Sequence, residues 1–274
     1  MFIDFPPVTG VVVQGMEQIT LPRMVRIRQK YDPQRIENIP EHLKARMVAA
    51  FPEPARFAGK RICITAGSRG IPHLDLILRT LCTQLREWGA QPFVIPAMGS
   101  HGGGTAEGQR EILEGYHITE QSIGAPILSN MEVVQYGTLS NGTPLYCDRY
   151  AFESDGIVLL NKEKPHTDFH GTHESGLGKM IAIGLGKHKG ASAFHMQGFA
   201  QFARRIPEAA EIFLQRAPVA FGVGIVQNAY DDICKIEVAP PQDILRMDAE
   251  NLLEAKKRLA TFKFHDLDVL IVDE

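Results

Sequence analysis

Apolar residues fall along this chain in two alternating patterns. Short continuous runs, RICITAG (61–67), QPFVIPA (91–97) and DGIVLLN (155–161), predict strands buried on both faces. Between the first two, LDLILRTLCTQLREWGA (74–90) sets Leu74, Ile77, Leu78, Leu81, Leu85 and Trp88 on one helical face. EHLKARMVAAF (41–51) has the same spacing, with Pro40 at its start and Pro52 ending it. MEVVQYGTL and TPLYCDRYAF, joined across SNG, predict an antiparallel hairpin. Further on, GFAQFARRIPEAAEIFLQRA reads as largely helical, and AFGVGIVQNAY and CKIEVAPP read as strands. PQDILRMDAENLLEAKKRLATF is a long amphipathic helix. Two short alternating runs near the start, GVVVQ and RMVRIRQKY, also read as strands. The chain ends on DLDVLIVDE, an apolar strand pattern with an acidic end, which suggests the opening of a further domain.

The order strand, loop, helix, strand, with runs of the parallel type, predicts an α/β fold: an open, mostly parallel, Rossmann-like sheet flanked by helices, with the hairpin as an insertion. Sheets of this kind bind ligands in loops beyond the carboxyl ends of their strands. Three such loops, SRGIPH, GSHGGGT and KPHTDFHG, carry Arg69, His101 and His166. The strand order puts all three on one side of the sheet.

Composition narrows the class. A chain of 274 residues, 44% hydrophobic and 22% charged, has ordinary globular make-up. Its formal net charge of -3, without a basic run, gives no electrostatic case for nucleic acid. No segment approaches a membrane span, and MFIDFPPVTG lacks the features of a secretory leader. Cys63, Cys82, Cys147 and Cys234 are far apart and form no CxxC pair, so a reduced, cytoplasmic protein is expected.

Candidate chemistry concentrates in residues 164–199, which hold His166, His170, His173, His188 and His195 among abundant glycines. Phosphate-loop readings fail there: GLGK at 184–187 is followed by His188, and Gly178-Lys179 by Met180. GSHGGGT does not fit a dinucleotide fingerprint, and HESGL is not a zinc-protease HExxH. The remaining signals suit proton and hydride chemistry on a small acid. Arg69, in a turn at a strand end, can fork onto a carboxylate. His101 and His166, each in a loop after a strand, can serve as acid and base. Lys179 stands between small residues and an apolar run, where its amine is available for a covalent link. His195, sixteen residues on, can ligate a borderline metal.

The succession SRGI, PAMGSHGGGTAEGQREILEGY, NKEKPHTDFHG, ESGLGKMIAIGLGK and FHMQGF resembles the nickel-pincer-dependent lactate racemase family over most of residues 60–200. The resemblance implies a nickel-pincer nucleotide cofactor (pyridinium-3,5-bisthiocarboxylic acid mononucleotide nickel) tethered to Lys179, with His195 as nickel ligand. It gives Arg69 the substrate carboxylate and His101 one proton-transfer role. The second catalytic histidine is His166 or His170, and His166 is preferred because KPHT follows its strand directly. It also implies that residues 1–262 form a lactate-racemase-like N-terminal, cofactor-binding domain. Residues 263–274 then start a truncated C-terminal domain, which in the family closes over the site.

The function expected is therefore isomerase: racemisation or epimerisation of a small 2-hydroxy acid by hydride transfer coupled to proton transfer. Whether the short chain turns over by itself is left open. A non-catalytic module that binds the cofactor or a metal is the alternative, with a metal-dependent hydrolase using His101, His166 and His170 behind it. The expected partner is the 2-hydroxy acid itself, with neither nucleic acid nor membrane; association into a homo-oligomer is left open.

Overall fold

The structure, a computed structural model, describes residues 15, 19–20, 26–68, 70–264 and 266–271. It divides into two compact units, one of Tyr31–Thr261 and one of Met1–Lys30 with Phe262–Glu274.

The larger unit is built on five strands: β1 (Arg61–Ala66), β2 (Gln91–Pro96), β5 (Gly156–Lys162), β6 (Val219–Gln227) and β7 (Ile233–Ala239). Their order across the sheet is β2-β1-β5-β6-β7. The first four are parallel, and β7 returns antiparallel to β6. The separate hairpin pairs β3 (Val133–Thr138) with β4 (Pro144–Asp148). The expected α/β class, mostly parallel sheet and hairpin insertion are all present.

Strand side chains alternate between two cores, as the period of two requires. Val158 and Leu160 of β5 join Ile62, Ile64 and Val94 in one core, under helices α1 (Ile39–Ala50) and α2 (Leu74–Glu87). Ile157 and Leu159 face the other core, with Cys63 and Ile95, the hairpin residues Leu145 and Cys147, and the segment Met180–Leu185. Each fully buried Leu, Ile or Phe contributes roughly 1.5–3 kcal/mol, so both faces are strongly covered. α1 starts at Asn38, whose side chain accepts from the Glu41 N–H, with Pro40 in its first turn. The remaining helices are α3 (Ala106–Gly115), α4 (Glu120–Ile123), α5 (Arg149–Phe152), α6 (Leu177–Lys179), α7 (Lys187–His195), α8 (Phe202–Arg216) and α9 (Ile244–Arg258). Cys63, Cys82 and Cys147 are buried thiols.

Two strand expectations fail in the smaller unit. Among the described residues, 26–30 of RMVRIRQKY, and Tyr31 at the edge of the larger unit, form no strand. In DLDVLIVDE, residues 266–271 likewise form no strand among the described residues and are exposed, with Val269 and Ile271 facing solvent. An apolar run becomes a strand only where a neighbour supplies hydrogen-bond partners and covers its face. GVVVQ lies outside the described residues. Within this unit, Lys263 donates from its backbone N–H to the Gln29 side chain and from Nζ to the Lys30 carbonyl.

Candidate functional site

The loops after β1 and β2 meet beyond the carboxyl ends of the strands. From β1 the chain crosses to β2 on one flank, and it later returns to β5 on the other, so the crevice there is a topological switch point. A cleft of about 100 Å³ opens at this place. Gly67 and Ser68 line it from β1, Ala97, Met98, Ser100 and His101 from β2, and Asn161 from β5. Lys179, Met180, Ile183, Gly184 and His195 complete its wall.

Lys179 and His195 reach the same cleft because the helical stretch between them is broken. Sixteen residues of straight α-helix would span ~24 Å. Instead α6 passes into a π-helical turn, Met180–Gly184, then a turn at Leu185–Gly186, and Lys187 starts α7 with φ of 52°. π-turns of this kind recur at functional sites because they re-aim the side chains around them. Gly184 permits close contact with the end of β2. A Cβ there would stand 2.7 Å from Met180 Sδ and 2.8 Å from the Ala97 carbonyl oxygen. Its own carbonyl accepts from the Gly99 N–H at 3.0 Å.

A second, more polar recess of about 330 Å³ adjoins the first, sharing Lys179 and His195 as walls. Lys164, Pro165, His166, Thr167, Asp168, Ser175 and Phe199 line the rest. Phe199 has ring centroids 6.0 Å from both His166 and His195, and Phe169 stacks obliquely on His166 at 4.3 Å.

Hydrogen bonds assign the ring protons. His195 Nδ1 lies 2.7 Å from the Ala191 carbonyl oxygen, which can only accept, so Nδ1 carries a proton and, in the neutral ring, Nε2 keeps the lone pair. His166 Nδ1 accepts from the Asp168 N–H at 3.1 Å, which puts the neutral ring's proton on Nε2. His101 Nδ1 lies 2.5 Å from Ser68 Oγ.

Of the residues singled out by sequence, His101, Lys179 and His195 line one cleft, and His166 lines the recess beside it. His170 lines neither; its side chain is 75% exposed, with Nδ1 3.7 Å from Glu174 Oε1. His173 is buried behind the site against Asp248. Arg69 lies outside the described residues. Among the described residues no three His, Cys, Asp or Glu side chains are grouped to hold a metal ion, and His101, His166 and His170 make no such group.

Sequence reasoning missed the support beneath the cleft. Lys187, set aside with the failed phosphate loop, is fully buried. Its Nζ donates to the Pro96 carbonyl at 2.6 Å and Gln109 Oε1 at 2.9 Å, and lies 3.3 Å from Asp148 Oδ2. Gln109 Nε2 in turn donates to the carbonyls of Gly99 and His101. One buried ammonium thus ties the end of β2, α3 and the hairpin together beneath His101. Burial pulls the Lys187 amine down while Asp148 opposes that, and burial raises the Asp148 carboxyl while Lys187 opposes that. The available signal was Asp148, a charge closing the apolar strand PLYC.

The fold and site together define an α/β protein with a lysine- and histidine-lined cleft at its switch point. Residues 25–205 match the lactate racemase N-terminal domain family, and the chain belongs to that family. The solved lactate racemase apoprotein from Thermoanaerobacterium thermosaccharolyticum has a similar fold, with 17% identity and a TM-score of 0.60 over 79% of this chain and 55% of that one. A crystal structure of a Thermotoga maritima protein is similar at 17% identity and a TM-score of 0.61, covering 80% and 59% of the two chains. The chain therefore spans less than two thirds of the length of either. No curated protein sequence matches it. Among the described residues no helix is long and apolar enough to cross a membrane.

Proposed function

We propose that this lactate racemase-like chain carries the cofactor-holding site of an isomerase, a racemase or epimerase of small 2-hydroxy acids. The observation that carries the proposal is the meeting of Lys179 and His195 in one cleft, with His101 on its wall and His166 in the adjoining recess. The donor set fits a nickel-pincer nucleotide. An amine at the cleft can hold the nucleotide covalently, and the Nε2 lone pair of His195 can take the metal. A metal held by a single imidazole needs other ligands, which such a nucleotide carries with it. When bound, that group supplies an acceptor and donor of hydride for the substrate's C2.

The chain's own residues do the rest. His101, held by Ser68, takes or returns the hydroxyl proton on one side of the substrate; His166 is assigned the other side, where its ring takes a proton once Nδ1 leaves the Asp168 N–H. Arg69 is assigned to the substrate carboxylate from sequence. Ala97, Met98, Met180 and Ile183 give the cleft an apolar wall that keeps water out and strengthens the electrostatics inside. Intact mass spectrometry of protein coexpressed with the pincer-building enzymes tests the reading, with an adduct mapped to Lys179 as the expected result. Turnover of a 2-hydroxy acid by that preparation separates an enzyme from a non-catalytic module. An unmodified Lys179 in active protein would overturn the assignment.

A further inference from the structure

The loop that carries His166 is closed at its base and clamped from behind. Lys164 and Ser175 exchange backbone hydrogen bonds, Lys164 N–H to Ser175 O at 2.7 Å and Ser175 N–H to Lys164 O at 3.2 Å. Inside the loop the Glu174 carboxylate, fully buried, accepts from the His166 N–H at 2.7 Å and the Gly171 N–H at 3.1 Å. Its charge is met by Lys256 of α9, whose Nζ lies 2.6 Å from Oε1. Eight residues earlier on the same helix, about two turns, Asp248 does the matching task at the other end of the segment. Its Oδ1 accepts from the Leu177 N–H at 2.7 Å, where the Lys179 helix begins, and its Oδ2 lies 2.8 Å from His173 Nδ1. The chain is shaped around that carboxylate: a Cβ on Gly176 would lie 2.0 Å from Asp248 Oδ1.

We infer that Asp248 and Lys256 are positioning residues of α9 that hold the segment 164–179, and so fix His166 and Lys179 relative to one another. Neither touches the cleft, and both act through intermediates, Asp248 through Leu177 and His173, Lys256 through Glu174. Sequence shows why one helix can do this. Both residues stand in the amphipathic helix DILRMDAENLLEAKKRL, Asp248 on its buried side and Lys256 at its exposed side. The two contacts differ in character. Asp248 is buried, with a hydrogen-bonded partner on each oxygen, whereas the Lys256 side chain is 37% exposed and can be replaced without opening the core. Burial and the nearby Asp248 charge push the Glu163 carboxyl well above the ordinary glutamate range.

The relevance of this clamp to catalysis rests on the proposed function, but its test does not. Amide hydrogen exchange is followed by mass spectrometry on the unmodified chain, alongside the rate at which a neutral acylating reagent labels Lys179. Lys256→Met is expected to raise exchange in peptides covering 164–176 by about tenfold and to change the Lys179 labelling rate by at least about threefold. Peptides from β5 should stay as in the parent, and Lys256→Arg should restore both readouts. Asp248→Asn, which keeps an acceptor for the Leu177 N–H but removes the charge facing His173, should loosen 171–177 selectively. Exchange and labelling unchanged in folded Lys256→Met would overturn the inference, as would failure of Lys256→Arg to restore them. Absence of a Lys179 adduct after coexpression would sink the racemase reading and leave this result standing.

Discussion

Ser68 Oγ and His101 Nδ1 lie 2.5 Å apart, joining the loop after β1 to the loop after β2 across the mouth of the cleft. The bond ties the ring orientation of His101 to the loop that also carries Arg69. Ser68→Ala should therefore cost little in folding, about 1 kcal/mol for one hydrogen bond. Turnover of the loaded protein should fall about tenfold, because a proton-transfer group must be held in line. Urea unfolding and initial-rate kinetics on one preparation check both figures. An unchanged kcat would remove Ser68 from the mechanism.

His101 and His166 make separate contributions on this reading. Each enantiomer's hydroxyl proton has its own histidine, and racemisation passes through both half-reactions. Either His101→Gln or His166→Gln should slow interconversion by about 10²–10⁴-fold in both directions. Single-turnover experiments with one pure enantiomer at a time should show one half-reaction surviving in each variant. If His166→Gln is silent and His170→Gln is not, the second role belongs to His170.

His195 stands exposed at the end of α7, its ring edged by Phe199 and Phe202, so His195→Ala should move the thermal midpoint only slightly. In cofactor-loaded protein the variant should lose nickel, measured by elemental analysis after gel filtration. Full nickel occupancy in His195→Ala would refute the ligand assignment.

Glu163 sets a direction for pH dependence. Burial, reinforced by the charge of Asp248, raises its carboxyl well above the ordinary 4.5, so the folded chain keeps a proton that the unfolded chain releases. Across that interval the folded state binds more protons, and stability falls as pH rises. Its contribution is complete below about pH 4.5 and is lost progressively as pH climbs toward the folded value. Glu163→Gln keeps an acceptor for the Ile225 N–H, which Glu163 Oε2 now meets at 2.9 Å, and removes the titration. The stability of Glu163→Gln relative to the parent should therefore increase with pH in urea melts from pH 4 upward. Parallel curves would assign the slope to another group.

Much of the fold was legible because its strands are buried on both faces and leave unbroken apolar runs. Those at 61–67, 91–97 and 155–161 became β1, β2 and β5 within a residue or two at each end. The parallel order of these three also carried the convergence of His101 and His166 toward one end of the sheet. What could not be read were properties of pairs. DLDVLIVDE has the composition of a core strand, but a strand needs neighbours, and residues 266–271 have none among the described residues. Lys187 and Lys179 look alike in sequence, each following a glycine. Only the fold makes Lys187 the fully buried cation, because Asp148 and Gln109 come to it from other elements. Glu174 and Asp248 were equally silent, since each gains its meaning from a partner on the far side of the loop.

The pairing of Ile62 with Gly156 joins residues more than ninety positions apart. Closing so long a stretch of chain is entropically costly, and parallel pairings of this range form slowly. Until β5 docks beside β1, the loop bearing His101 and the helical turn bearing Lys179 have no common wall. A nascent chain would thus present Lys179 as an ordinary solvated amine, indistinguishable from its neighbours to any tethering chemistry. On the proposed function, attachment selective for this lysine has to wait for the finished sheet, which would make loading a late step in the protein's maturation.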